Sequence, residues 1–283
     1  MTISSVPIRD TETGLLRTRV HHADKGFRWV HELGTSVPVP FSGVRLEATE
    51  LGTESIAVGS GGGRKREYIV AGNSLVSDLL ATAPISLTHF GIRWGHALHV
   101  LHNLPPLSGV VRTSPRTLTR ASSWLHQDWA SAQSTIGTAG LDRVREWSKE
   151  MRDGQQLVHG HPGMAHWVIS ADGNDGTLLL GEDVGTADGR YDLAWVLGEI
   201  AELYAFYPSL RPALTTLRHG LVEGYGVEEL GEFRTGIAYR LIQHAFDWQH
   251  YAGASDTQTR ALLTLASTYL KSPSRTAKER FNQ

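Results

Sequence analysis

The sequence predicts an α+β fold in which a small β-rich part precedes a larger helical part. Between residues 44 and 71, short apolar runs rich in strand-forming residues are separated by turn residues, which is typical of β-strands. From residue 73 onward, apolar residues recur mostly at helical spacing. Residues 157–185 interrupt these helices with short apolar strands around 167–169 and 178–180. Strands followed by helices in this way indicate an α+β arrangement.

The N-terminal part is predicted to contain one helix and three strands. The helix covers residues 10–33 and stops at Gly34, because its apolar residues are loosely helical in spacing: Leu15, Leu16, Val20, Phe27, Val30 and Leu33. Strands are predicted over 44–48, 55–59 and 67–71. The last two flank a hairpin turn at Gly61, Gly62 and Gly63.

That glycine turn is a candidate cofactor-binding element. Backbone N–H groups of Gly61, Gly62 and Gly63, with the basic residues 64–66 beside them, have the chemistry to cradle an anion. The alternative is an ordinary solvated hairpin tip, since the turn lacks the lysine and Ser/Thr that end a P-loop.

The C-terminal part is predicted to be largely helical. The predicted helices are 74–83, 88–103, 115–136, 141–152, 191–207, 210–224, 227–250 and 256–271. The junction is expected near residues 83–86, which divides the chain into an N-terminal part of residues 1–84 and a C-terminal part of residues 85–283.

Composition excludes several classes of function. The chain of 283 residues has no cysteine, which excludes disulfides, thiolate nucleophiles and cysteine-based metal sites. Lys and Arg number 27 against 29 Asp and Glu, a balance that indicates no nucleic-acid partner and no membrane surface. Apolar runs are too short for a membrane span, and the charged N-terminus does not look like a signal peptide, so we expect a cytoplasmic protein.

Three segments between residues 94 and 194 carry a family resemblance. The first reads WGHALHVLHNLP over residues 94–105. The second reads LVHGH over 157–161 and is followed by His166. The third reads LLGEDVG over 179–185 and continues with DGRYDLA over 188–194. In order and spacing, these segments resemble the aminoglycoside-phosphotransferase and choline-kinase family of small-molecule kinases, in which a catalytic loop of pattern LxHGDxxxxN lies between the other two motifs.

The resemblance implies a protein-kinase-like fold with two lobes, a small β-rich N-lobe and a large helical C-lobe. A weaker resemblance links the N-terminal part to the kinases of class V lanthipeptide and thioamitide pathways, which phosphorylate Ser or Thr of a precursor peptide. Arginine outnumbers lysine 22 to 5, a bias typical of high-GC actinobacterial genomes.

The positions that carry the family's chemistry are changed in this chain. The strand 67–71 has Val70 or Ala71 where the family has a phosphate-binding lysine. His161 stands at the proton-accepting aspartate and His166 at the metal-binding asparagine. Leu180 aligns with the metal-binding aspartate, and leucine cannot bind Mg²⁺.

The residues that shape the family's loop are present, in contrast. The resemblance implies that Asp192 braces the loop backbone and that His159 and Gly160 shape it. His166, Glu182 and Trp195 are candidates to line the cleft or bind substrate. A chain that keeps the residues shaping the loop but lacks those that bind phosphate and metal or accept the proton is typical of a pseudokinase.

Two alternatives remain open at this stage. An active enzyme would use His161 as the base and Asp183, shifted by a register slip, on the metal, or it would run a different reaction in the same cleft. A further possibility is a metal site built from His159, His161 and His166 and completed by Glu182 or Asp183. The competing interpretation is that His159 has a structural role in the loop and that the other two histidines face a solvated cleft. The leading interpretation assigns no metal and no cofactor; ATP and Mg²⁺ belong only to the active-enzyme alternative.

The function we expect from the sequence is therefore a binding or scaffolding partner with a degenerate ATP site. Its setting is expected to be an actinobacterial natural-product pathway, in which its partner is a second protein or a precursor peptide.

Overall fold

A computed structural model describes residues 6–37, 39–44, 46, 51, 53–82, 87–105, 113–125, 129–170, 175–228 and 231–271. Its N-terminal strands are β1 (Arg9–Glu12), β2 (Leu16–His22), β3 (Phe27–Leu33), β4 (Ile56–Val58), β5 (Ser60–Gly62), β6 (Lys65–Val70) and β7 (Ser74–Leu75). The predicted strand 44–48 falls mostly outside the described residues, and so does the predicted junction at 83–86. The boundary between residues 84 and 85 stays a prediction.

The helix predicted over residues 10–33 is wrong. The chain forms β1, β2 and β3 there, paired antiparallel so that Val20 lies opposite Trp29. The break between β2 and β3 is a tight turn in which Gly26 has φ of +83°, a conformation that an L-residue rarely adopts. Alternate residues Trp29, His31 and Leu33 are buried, which is the period of a strand and competes with the loose helical spacing.

The N-terminal strands belong to two sheets, and the second sheet also joins them to the rest of the molecule. The first has the order β1-β2-β3-β6-β5, in which β5 and β6 form a hairpin with Gly63 and Arg64 at its turn. The hairpin predicted between strands 55–59 and 67–71 is wrong in its first strand, because β4 runs parallel to β10 in the second sheet and Gly61 and Gly62 lie in β5. The second has the order β4-β10-β9-β7, with β9 at Trp167–Ile169 and β10 at Gly176–Leu180. Because β4 runs parallel to β10 and β7 pairs with β9, strands from before and after residue 84 share one sheet.

Helices make up most of the described C-terminal part. Helix α1 (Val76–Thr82) precedes the predicted boundary, and the helices after it are α2 (Thr88–His102), α3 (Arg116–Leu125), α4 (Ala130–Ile136), α5 (Thr138–Asp153), α6 (Arg190–Phe206), α7 (Arg211–Tyr225), α8 (Arg234–Tyr251) and α9 (Asp256–Lys271). The predicted helix 115–136 is divided into α3 and α4. A small sheet pairs β8 (Gln156–Val158) with β11 (Gly185–Ala187).

The main core lies between these helices and the second sheet. Trp94 of α2 stacks on Trp167 of β9 with ring centroids 5.8 Å apart, and both rings are fully buried. Helices α2 and α7 pack so closely at Gly91 that a Cβ on this residue would lie 2.3 Å from the Leu217 carbonyl oxygen. Among the described residues, no helix is long and apolar enough to span a bilayer. This core fixes β8, β9 and β10, and with them the loop that follows β8.

Candidate functional site

The loop between β8 and β9 is anchored by one buried carboxylate. Asp192, in the first turn of α6, accepts the backbone N–H of His159 at 2.6 Å and that of Gly160 at 2.8 Å. His102, near the end of α2, contacts the same carboxylate through Nε2 at 2.9 Å, and its Nδ1 lies 2.8 Å from the Tyr225 hydroxyl. All three motif segments therefore meet at Asp192.

Glycine is required at the second position of this loop. Gly160 has φ of +85°, and a Cβ there would lie 2.3 Å from the Asp183 carbonyl oxygen. The Gly160 carbonyl accepts a hydrogen bond from the Thr117 hydroxyl, which in turn accepts one from Tyr191 at 2.8 Å. The backbone of the loop is thus held from several sides.

His159 is a fully buried part of this framework. Its Nε2 lies 2.7 Å from the Leu179 carbonyl oxygen, and its Nδ1 is 3.2 Å from the backbone N–H of His161. A carbonyl accepts and an N–H donates, so these partners assign the neutral tautomer with the proton on Nε2. Burial, together with the nearby His166, lowers the pKa of His159 to about 4 and keeps the ring neutral.

His161 retains partial exposure, at 36% of its side chain. Its ring lies edge-on to Trp195, with centroids 4.7 Å apart, and its Nδ1 is 3.6 Å from Asp183 Oδ2. Burial against these neighbours and the proximity of His166 lower its pKa well below the usual value. His161 is therefore a neutral imidazole at physiological pH.

Asp183 is fully buried and paired with Arg116, the first residue of α3. The guanidinium donates from Nε to Oδ1 and from Nη2 to Oδ2, at 3.3 Å for the second bond. Burial opposes ionisation, but the attraction of Arg116 outweighs it and lowers the pKa of Asp183. Both carboxylate oxygens are thus occupied by one cation.

Glu182 is the centre of a second buried cluster. Its Oε1 pairs with His31 Nδ1 and accepts a hydrogen bond from the Tyr68 hydroxyl at 3.0 Å. Its Oε2 lies 3.4 Å from His166 Nε2. Although burial opposes ionisation, the two imidazoles hold the pKa of Glu182 well below its usual range, and Glu182 correspondingly raises that of His166.

The candidate cleft residues are therefore less accessible than the sequence indicates. His166 is 1% exposed, Glu182 2% and Trp195 5%, so these side chains do not line an open cleft in this structure. The solvated surroundings expected for His166 are wrong, because β3 and β6 cover the loop and bring His31 and Tyr68 onto Glu182.

The glycine turn lies on the exposed β5–β6 hairpin. The cations beside it have protein partners: Arg64 donates to the Val37 and Gly34 carbonyls, and Arg66 donates to the Gly61 and Gly181 carbonyls. Lys65 pairs with Glu67 at 2.5 Å. Anion binding by Gly61, Gly62 and Gly63 stays a prediction, and these contacts do not support it.

Sequence reasoning missed three residues of the site. His31 and Tyr68 come from neighbouring paired strands, and Arg116 begins α3. Val70, expected near the phosphate-binding position, packs instead in an apolar cluster with Val20 and Trp29. The strand alternation around Trp29 and His31 was the available signal, and the helix prediction for 10–33 concealed it.

Fold and site together define a two-lobed, kinase-like phosphotransferase fold, and the comparisons with solved structures agree. A thermostable mutant of aminoglycoside phosphotransferase APH(4)-Ia, in ternary complex with AMP-PNP and hygromycin B, matches with a TM-score of 0.60 and 10% identity over 96% of both chains. Ethanolamine kinase from Plasmodium vivax matches with a TM-score of 0.52 and 11% identity, covering 95% of this chain and 83% of that one.

Amicoumacin kinase, in complex with AMP-PNP, Ca²⁺ and Ami, matches with a TM-score of 0.53 and 12% identity, covering 94% of this chain and 89% of that one. No protein-family model and no curated protein matches the chain. At these identities the similarity shows the fold, and it confirms the fold that the three sequence segments imply.

Proposed function

We propose that this protein is a catalytically inactive relative of the kinase-fold phosphotransferases and acts by binding a partner. The observation that carries the proposal is the buried ion pair between Asp183 and Arg116, whose side chains are 0% and 9% exposed. Mg²⁺ is bound in proteins through carboxylate oxygens and water. A guanidinium that occupies both oxygens of Asp183 takes that place and adds positive charge where a second cation would have to approach.

The remaining residues do not fit a magnesium nucleotide either. Glu182 is held by His31, Tyr68 and His166, and Leu180 stands where the family resemblance requires a metal-binding aspartate. No ion pair among the described residues joins a lysine to either buried carboxylate. Of the structural neighbours, APH(4)-Ia and amicoumacin kinase were solved with AMP-PNP bound.

Calorimetry and thermal unfolding with ATP, in the presence and absence of Mg²⁺, test the proposal. A ligand at 100 times its Kd stabilises the folded state by about 2.7 kcal/mol, which a melting experiment resolves. We expect neither saturable heat nor a shift in Tm. Magnesium-dependent binding in the low micromolar range, lost in Asp183→Asn and retained in Asp142→Asn, would overturn the proposal; Asp142 is an exposed aspartate on α5.

A second candidate function is that of an active enzyme, and the position of His161 favours it. The imidazole is partly exposed and lies 3.6 Å from the Asp183 carboxylate, so an acid–base group is accessible from solvent at this point of the loop. It would serve a phosphotransferase acting on a hydroxyl or another reaction in the same cleft. Turnover of ATP by the wild type that His161→Ala abolishes would favour this candidate over the first.

The proposed partner is a second protein or a precursor peptide of a natural-product pathway, as the resemblance to the kinases of peptide pathways implies. Co-expression with the proteins encoded beside it, followed by size-exclusion chromatography, tests this. A stoichiometric complex is expected, and exclusive recovery of the uncomplexed chain would contradict the scaffolding role.

A further inference from the structure

We propose that His31, His166 and Glu182 form a binding site for one Zn²⁺ ion. The three side chains each offer one ligand atom, and these atoms lie within 4.8 Å of one another. His166 Nε2 and Glu182 Oε2 are 3.4 Å apart. Ligands about 2.0–2.2 Å from a tetrahedral zinc are separated by roughly 3.3–3.6 Å, so the spacing of His166 and Glu182 already fits, whereas His31 has to move away from its direct contact with Glu182.

The three ligands come from separate elements that the fold brings together. His31 lies on β3, His166 ends the turn Met164–His166 before β9, and Glu182 follows β10. All three are at most 2% exposed. The Tyr68 hydroxyl, 3.0 Å from Glu182 Oε1, adds an oxygen at the edge of the site. Two imidazoles and one carboxylate supply three ligands of a tetrahedral zinc site and leave the fourth position for a water molecule.

Each of the two rings reaches Glu182 through one nitrogen. His31 Nδ1 contacts Oε1 and His166 Nε2 contacts Oε2, so an ion between the rings and the carboxylate would be bound by these two nitrogens. His31 Nε2 and His166 Nδ1 are buried and have no hydrogen-bond partner among the described residues, but they lie on the far side of each ring and are not ligands.

The chemistry of the ligands favours zinc over magnesium. Two imidazoles and one carboxylate are the ligand set of many zinc sites, whereas Mg²⁺ requires oxygen ligands in near-octahedral geometry. The Asp183–Arg116 pair that carries the proposed function takes no part in this site, although both arguments use the contacts of Glu182. An ion held here would connect the N-terminal sheet to the loop 159–166, so it should stabilise the whole molecule.

The test is a zinc titration of the full chain after treatment with a chelator, followed by calorimetry and thermal unfolding. We expect one Zn²⁺ per chain and a rise in Tm. Glu182→Gln and His31→Asn should abolish both effects. His96→Ala is the matched control, because His96 is an exposed histidine of α2, and it should bind as the wild type does.

A measurement on the wild type alone keeps the proposal falsifiable if the variants fold poorly. Co²⁺ bound by histidine in tetrahedral geometry gives intense visible absorption, and Zn²⁺ should displace it with loss of colour. Absence of stoichiometric binding to the wild type would overturn the proposal, as would zinc binding that persists unchanged in both site variants. Titration of the same samples with Mg²⁺-ATP keeps this result separate from the proposed function.

Discussion

At the scale of single residues, Asp192 is the residue at which several contacts of the loop converge. One buried carboxylate accepts two backbone N–H groups of the loop and also contacts His102. The family resemblance implies that the corresponding aspartate braces the loop, and these contacts are the geometry that such a role requires. Asp183, on the other side of the loop, instead accepts side-chain hydrogen bonds from the guanidinium of Arg116, and His161 lies 3.6 Å from its Oδ2.

Asp192→Ala is expected to reduce the free energy of unfolding by about 1–3 kcal/mol, because buried backbone donors lose their acceptor. Asp192→Asn keeps one carbonyl oxygen and should have a smaller effect. Urea unfolding measures both, with Asp142→Asn, in an exposed ion pair, as the control. An unchanged midpoint for Asp192→Ala would show that the carboxylate does not brace the loop.

At the scale of elements, a buried charge cluster connects α6 to α8. Glu202 of α6 pairs with Arg240 of α8, and its Oε2 lies 2.8 Å from His244 Nδ1 on the same helix. Burial opposes ionisation of Glu202, but Arg240 and His244 outweigh it and lower the pKa to about 2. The two helices are therefore held together by an interaction that depends on the charge of Glu202.

This lowered pKa predicts a loss of stability in acid. The ordinary pKa of Glu202 is 4.5, so its contribution is complete above that pH and disappears as the pH falls towards 2. The contribution is on the order of 3 kcal/mol at neutral pH. The difference in free energy of unfolding between the wild type and Glu202→Gln should therefore shrink between pH 5 and pH 2.

Urea unfolding at a series of pH values measures that difference. Glu223→Gln, which changes an exposed glutamate of α7, serves as the control and should follow the wild type throughout. A gap between wild type and Glu202→Gln that is as large near pH 2 as at pH 7 would contradict the charge dependence.

At the scale of the whole molecule, the kinase-like fold holds Asp183 in an ion pair with Arg116 and Glu182 in a cluster with His31, Tyr68 and His166. The double change His161→Asp with His166→Asn restores the loop residues of the family pattern. We expect no phosphoryl transfer from it, because Leu180 remains, no lysine is supplied, and Arg116 still occupies Asp183. Circular dichroism establishes that the variant is folded, and radiolabelled ATP with candidate acceptors measures transfer. Measurable transfer by the folded variant would contradict this expectation, because it would show that neither Leu180 nor the Asp183–Arg116 pair prevents the reaction.

The sequence by itself determined the fold class and the identity of the loop. Motif spacing predicts which residues meet around the loop 159–166, because segments of a shared fold keep their order along the chain. Helical periodicity located most of the C-terminal helices for the same local reason: each amphipathic helix repeats its apolar face within a few residues. Loosely spaced apolar residues in 10–33 satisfied a helix template as well as a strand, and there the local signal misled.

Only the tertiary structure decided what the buried carboxylates do. Arg116 reaches Asp183 across 67 residues, and His31 reaches Glu182 across 151. Such pairings depend on which strands align in a sheet and on where α3 begins relative to the loop. Neither is encoded in the spacing of nearby residues, because a buried charge takes its partner from whatever element packs against it. The exposure of His161 and the burial of His166, five residues apart, were settled in the same way by the strands that cover the loop.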